Sequence, residues 1–311
     1  MCCVLLFYVL YLFILYMKVV LFMKELIVTT KYNNSNISKF IFDSFPYLSS
    51  NTFYKALRQK DIKLNGNRIN KDCTVYTGDK LLVYISDELL VPNFDLNIIY
   101  EDENILLLNK PANIEVTGNN SLTSFVCDKY CSSSFKPAPC HRLDRNTTGL
   151  VLFAKNEEAL TILLNKFKNH EITKKYLALI FGKPKLKYAR LESFLFKDNK
   201  KSIVYISDNF KKGYQKIITS YSVLKEFDNN SCLLEVEIET GKTHQIRAHL
   251  AHIGCPIIGD GKYGINSVNK QFGFKYQQLQ AYKLSFDFSS DSGILNYLAG
   301  KSFSIDPKWS F

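Results

Sequence analysis

Three stretches of this 311-residue chain gather side chains able to act on one another chemically. His141-Arg142-Leu143-Asp144-Arg145 sets a carboxylate between two guanidinium groups, Lys174-Lys175-Tyr176 sets a phenol beside two ammonium groups, and in His244-Gln245-Ile246-Arg247 an imidazole precedes a guanidinium by three positions. A carboxylate, a phenol and a fixed cation suit acid–base or nucleophilic chemistry, because the cation keeps the carboxylate ionised where burial would protonate it. Each group also has an ordinary reading. Taken alone, an Asp beside two arginines is more often a solvated ion pair or a turn-capping carboxylate than a catalyst, and a lone Tyr on a strand is usually a packing residue with its hydroxyl at the water boundary. His244, His249 and His252 invite a zinc reading, but only the last two share a helical face and no carboxylate or thiolate completes a set.

Composition narrows the chemistry further. The chain carries 40 Lys and Arg against 29 Asp and Glu, a net charge of +11, and its 46% hydrophobic content is that of a folded protein with room for two domains. Between Lys166 and Lys216, thirteen lysines and Arg190 face only Glu171, Glu192, Asp198 and Asp208, a local excess of +10. Such a block either displaces counterions from a nucleic-acid backbone or forms a solvated Lys-rich surface. The chain has no glycine-rich dinucleotide loop, no G-x-x-x-x-G-K phosphate loop and, among eight cysteines, no C-x-x-C pair. Cys127 and Cys131, four apart on an expected helix, lack a second ligand pair. The cysteines read as packing residues of a reducing compartment, and neither metal nor cofactor is expected.

The patterning shows what would position these groups. Thr147-Thr148-Gly149 closes the Asp144 loop and leads into an apolar run, Leu150 to Phe153, that reads as a buried strand, so Asp144 belongs on the rim of a sheet. Ile172 to Gly182, Lys216 to Glu226 and Cys232 to Ile238 read as strands, the first carrying Tyr176. Gly241-Lys242-Thr243 marks a switch to a helix bearing His244 and Arg247 on one face, with Thr243 as its cap. Upstream, Ile98 to Pro111 reads as strand, acidic turn, strand and stop, and helices are expected over 122–131 and 157–167. In the N-terminal part, Ile37, Phe40, Ile41 and Phe45 recur at helical spacing up to Pro46, and Ser49 or Ser50 caps a second helix. Asn65-Gly66 makes a hairpin, Leu81 to Ile85 a strand, and residues 87–95, with Pro92, a linker. Residues 1–23 are apolar, with Lys18 the first charge; they read as a membrane anchor or as an over-extended start upstream of Met17 or Met23.

The chemistry-bearing stretches, taken in order, resemble the RluA family of pseudouridine synthases. HRLDRNTTG is similar to the family's HRLD-x-x-T-S-G, KKYLA to its K-x-Y strand, and GKTHQIRAHL to G-R-T-H-Q-I-R-x-H. The acidic turn before Asn109-Lys110-Pro111 and the run Gly254 to Gly264 match two further family elements, the latter written G-x-P-[LI]-x-G-D-x-x-Y-G. Thr148 replaces Ser, Lys242 replaces Arg, Gln280 replaces a His, and a closing His-Pro is absent. Residues 35–86 resemble the S4 RNA-binding domain that precedes many catalytic domains of this family.

The resemblance implies an α+β protein: a small S4-like domain at 35–86, then a catalytic domain at 96–311 with a mixed, mainly antiparallel β-sheet. It implies isomerisation of uridine to pseudouridine in RNA without a cofactor. Asp144 would be the catalytic aspartate, Tyr176 the active-site tyrosine and Arg247 the partner of Asp144. RNA would be held by His141, Arg142, Arg145 and His244, and by Lys55, Arg58, Lys63 and Arg68 of the S4-like domain. The expected partner is ribosomal RNA of the large subunit, with transfer RNA or a non-catalytic RNA-binding or ribosome-assembly role as alternatives. A cytoplasmic monomer without membrane attachment is expected.

Overall fold

The computed structural model describes residues 23–45, 48–86, 90, 95–118, 120–130 and 134–307. The apolar N-terminal run, Pro46, most of the 87–95 linker and Cys131 lie outside the described residues. The chain divides between Asp95 and Leu96 into two compact units. Among the described residues no helix is long and apolar enough to cross a membrane.

The first unit comprises β1 (Met23–Ile27), β2 (Ser35–Asn36), α1 (Ile37–Ser44), α2 (Ser50–Gln59), β3 (Ile62–Leu64), β4 (Asn67–Ile69), β5 (Thr74–Val75) and β6 (Lys80–Tyr84). The apolar spacing of both helices sends Ile37, Ile41, Phe53 and Leu57 into a shared core with Ile62, Leu81 and Val83. The Ser49 hydroxyl accepts the Thr52 N–H at 3.1 Å and caps α2, and the helix stops where Lys60 turns left-handed. Asn65 and Gly66 both take positive φ, as a two-residue hairpin turn between β3 and β4 requires. Four strands form an antiparallel sheet in the order β1-β6-β3-β4. Lys55, Arg58 and Arg68 are exposed, Arg68 donating to the Lys60 carbonyl, while Lys63 lies half-buried over the Tyr84 ring.

The second unit holds β7 (Ile98–Glu101), β8 (Ile105–Lys110), α3 (Leu122–Lys129), β9 (Ala138–Pro139), β10 (Thr148–Ala154), α4 (Glu157–Lys168), β11 (Ile172–Phe181), β12 (Tyr188–Asp198), β13 (Ile203–Ser207), β14 (Gln215–Phe227), β15 (Ser231–Ile238), α5 (Gln245–His252), α6 (Asn266–Phe272), β16 (Leu279–Phe286) and β17 (Ser302–Ser304). Its eleven-stranded sheet runs β13-β12-β14-β15-β11-β16-β10-β8-β7, with β17 on β16 and β9 on β10. Every pairing is antiparallel except β10 with β16. The unbroken apolar run of β10 follows from burial on both faces. Leu150 and Leu152 pack with Ala159 and Leu163 of α4, and Val151 and Phe153 are fully buried as well; each such side chain contributes about 2 kcal/mol.

Where β10 meets β16, the sequence has no choice of residue. Gly149 has φ +113°, and a Cβ there would lie 2.2 Å from the Ala281 carbonyl oxygen. Gly149→Ala should therefore cost at least about 2 kcal/mol, from left-handed strain plus a backbone clash, read as a lower urea midpoint. An unchanged midpoint would show that the parallel junction can yield.

Candidate active site

Asp144 belongs to the loop between β9 and β10, and the loop is pinned from three directions. The Thr147 N–H donates to the Asp144 carbonyl at 3.0 Å, and Gln277 Nε2 donates to the Thr147 hydroxyl at 3.2 Å. From the end of β8 comes Lys110, which has no exposure at all. Its ammonium donates to the carbonyls of Pro111 at 2.9 Å, Ile114 at 2.8 Å and Arg145 at 3.0 Å. Burial draws the Lys110 pKa down to about 7, against the opposing pull of Asp144 and Glu115.

Arg247 reaches Asp144 from the first turns of α5. The helix start differs from expectation: His244, at φ +56°, occupies the cap position, no side-chain cap bond forms there, and Thr243 is not the cap. The Gln245 side chain instead braces the turn that leads into the helix. Its Oε1 accepts the Lys242 N–H at 3.1 Å and the Thr240 hydroxyl at 2.8 Å, while its Nε2 donates to the Ile218 carbonyl at 2.9 Å. His244 and Arg247 thus share a cavity rather than a helical face.

The guanidinium of Arg247 is divided between two carboxylates. Nε and Nη2 grip Asp260 in parallel at 2.7 and 2.9 Å, and Nη1 donates to Asp144 Oδ2 at 2.9 Å. The Tyr263 ring lies under the same group, 5.2 Å from its carbon. Asp260 is wholly buried and also accepts the backbone N–H groups of Lys262 and Tyr263. Burial alone would raise the Asp260 carboxyl and lower the Arg247 guanidinium; their contact reverses both, holding Asp260 below and Arg247 above its ordinary pKa.

Tyr176 enters from β11 at a bulge. Lys175 pairs with Lys283 but Tyr176 with Ala281, leaving Tyr282 as the extra residue of β16. The Tyr176 phenol is buried, and burial followed by the charge of Asp144 pushes its pKa up, so the hydroxyl keeps its proton. Asp144, Tyr176 and Arg247 line one cavity of about 230 Å³ with His141, Arg142 and His244. Arg145 lies in an adjoining cavity of about 390 Å³ that Asp144, Arg142 and Arg247 also line. Burial lowers the His244 pKa to about 4, so its imidazole is neutral at neutral pH.

Several expected residues have other duties. His141 Nε2 accepts the Leu152 N–H at 3.1 Å, tying the loop to β10, so His141 is not simply a surface contact for RNA. The lysine-rich stretch is not one free patch. Lys166 is buried against Glu171, while Lys175, Lys183 and Lys216 pair with Glu235, Glu226 and Glu192. His249 faces Thr219 and Ser193, and His252 faces Asp208. Among the described residues no group of three or more His, Cys, Asp and Glu is placed to hold a metal. Sequence reasoning passed over Asp260 and Lys110, although both stand in stretches that resemble family elements.

Residues 104–252 match the family model described as RNA pseudouridylate synthase. The chain is 30% identical over 300 residues to ribosomal large subunit pseudouridine synthase C of Rickettsia felis, covering 89% of this chain and 94% of that one. This chain belongs to the RluA family of pseudouridine synthases. A Mycoplasma capricolum member, an uncharacterized RNA pseudouridine synthase, is 31% identical over 308 residues, covering 92% of this chain and 99% of its own. The fold is shared with human RNA pseudouridylate synthase domain containing 4, at TM-score 0.55 and 21% identity over 68% of this chain and 88% of that one. As in the rest of the family, the activity is isomerisation of uridine to pseudouridine in RNA.

Asp260→Asn leaves Arg247 buried with half its countercharge. Unfolding should become easier by about 3 kcal/mol at neutral pH, and activity should fall with it. The stability that Asp260 contributes is present above the unfolded Asp value of about 3.9 and is lost as pH falls through its lower folded value. The gap between wild type and variant in denaturant titrations should accordingly narrow below about pH 4; a gap independent of pH would contradict the pairing.

Proposed function

We propose that this enzyme modifies uridine in large-subunit ribosomal RNA, with Asp144, Tyr176 and Arg247 as its catalytic residues. The observation that carries the reading is the shared guanidinium of Arg247. It fixes one oxygen of Asp144, while Oδ1 has no partner among the described residues. A carboxylate held in this way is fixed in orientation and presents one free oxygen to the substrate. The reaction breaks the N1–C1′ bond, turns the base and joins C1′ to C5, after which the C5 proton departs and N1 takes up a proton. Asp144 acts on the ribose side of this exchange, either attacking it or assisting departure of the base. Tyr176, with its proton retained, packs on the uracil ring and passes a proton on rather than serving as a free phenolate.

A uridine stacked in folded RNA cannot enter the cavity, so the nucleotide must leave the stack. Arg142 and Arg145, both exposed beside Asp144, are suited to hold the flanking phosphates or the vacated space. Residues 35–86 act as the S4-like RNA-binding domain through Lys55, Arg58, Lys63 and Arg68. The ribosomal substrate is supported by the names of relatives that align along most of the chain. A cytoplasmic monomer is the form that suits such a substrate.

The test is tritium release from ribosomal and transfer RNA labelled at uridine C5. Release should occur with large-subunit RNA, fall by at least about a thousand-fold in Asp144→Asn, and fall about a hundred-fold in Tyr176→Phe. Release from transfer RNA alone would move the substrate. Salt-sensitive binding of both RNAs with no release from either would leave an RNA-binding protein.

A further inference from the structure

The cavity around Asp144 holds more positive charge than its own residues neutralise. Arg247 is satisfied by Asp260 and Asp144, but Lys174, which lines the same cavity, has no carboxylate within ion-pair distance among the described residues. Four other lysines of the lysine-rich stretch, Lys166, Lys175, Lys183 and Lys216, each pair with a glutamate at 2.9 Å or less. Lys174 stands two residues before Tyr176 on β11 and so projects from the same side of the strand. Its ammonium lies 4.8 Å from the centre of the Phe167 ring and is half-buried. Burial lowers its pKa, and no anion acts to raise it. A cation partly withdrawn from water without a counter-ion is costly unless an anion joins it.

A second group points the same way. His141 Nε2 accepts the Leu152 N–H, so in the neutral ring the proton resides on Nδ1. That Nδ1 is buried and has no hydrogen-bond partner in the structure. The ring contacts Phe167 at 5.1 Å between centroids, the same aromatic ring that Lys174 covers, and it too lines the cavity. An unused ammonium and an unused N–H donor therefore flank one ring, in the cavity that contains Asp144 and Tyr176.

The uracil and ribose of a uridine are neutral, so the anion that enters with them is the phosphate of the nucleotide. We infer that Lys174 and His141 form a phosphate subsite for the flipped nucleotide, Lys174 supplying the charge and His141 Nδ1 a hydrogen bond. The inference rests on the proposed reading of the cavity as the uridine site. The subsite anchors the nucleotide by a group that the reaction leaves untouched, so its energy is available equally before and after the base is detached.

The experiment measures binding of a large-subunit ribosomal RNA transcript across a series of KCl concentrations, for wild type, Lys174→Met, Lys174→Gln and Lys174→Arg. Loss of one phosphate contact should weaken binding about ten-fold at low salt and reduce the slope of log affinity against log KCl by roughly 0.7 to 0.9 in the Met and Gln variants. Lys174→Arg should restore the slope. In tritium release the Met and Gln variants should lose in KM rather than in kcat. A slope unchanged in both neutral variants, wild-type binding that does not depend on salt, or a loss confined to kcat would overturn the subsite. Altered slopes without tritium release from any RNA would preserve the subsite and overturn the catalytic reading alone.

Discussion

The site depends on one desolvated charge. A guanidinium buried as deeply as that of Arg247, with 6% of its side chain exposed, is tolerable only when its donors are matched by anions in the right plane. Asp260 meets two of those donors, and its own remaining capacity is filled by the backbone N–H groups of the loop that carries it. The third contact, to Asp144, is therefore made by a group that cannot turn elsewhere. Asp144 keeps 22% exposure, enough to meet a substrate, while its orientation is dictated from the buried side. In the proposed reaction a carboxylate poised this way needs little rearrangement.

The rest of the second unit arranges that this pair faces Tyr176. Asp144 and Tyr176 belong to neighbouring segments of sequence, but β10 and β11 are not neighbours in the sheet; β16 lies between them. The close approach at Gly149 and the bulge opposite Tyr176 both occur on β16 around Ala281. Lys110 completes the support by satisfying three carbonyls where the loop turns. Loop and strand are thereby held through their backbone, so that the Asp144 carboxylate and the Tyr176 phenol are not needed to brace them.

Much of this was legible in the residues, for local reasons. Helical spacing placed α1, α2 and α4, the Asn65-Gly66 turn placed its hairpin, and an apolar run marked β10, because each signal is contained in a few adjacent residues. That Asp144, Tyr176 and Arg247 belong to one site came from family resemblance, since no periodicity reports that β16 inserts between β10 and β11. Asp260 was missed for a physical reason: an Asp among glycines reads as a turn residue, and only tertiary burial makes it a counter-ion. The lysine-rich stretch misled in the same way, because Lys175–Glu235 and Lys183–Glu226 are brought together by the folded sheet rather than by sequence proximity. Thr243 obeyed the usual capping preference on paper, but the helix begins one residue later than it would need, with His244 in the cap position.

The position of β16 also bears on how the protein is made. Strands β7 to β10 and strands β11 to β15 form two halves of the sheet with no direct pairing to each other except through β16. Residues 279–286 leave the ribosome after every other strand of the sheet but β17. During translation the two halves can form as separate hairpin layers, yet the long-range pairing that unites them has to wait. The nascent polypeptide, although made beside abundant RNA, consequently lacks a joined sheet around the site until β16 has emerged.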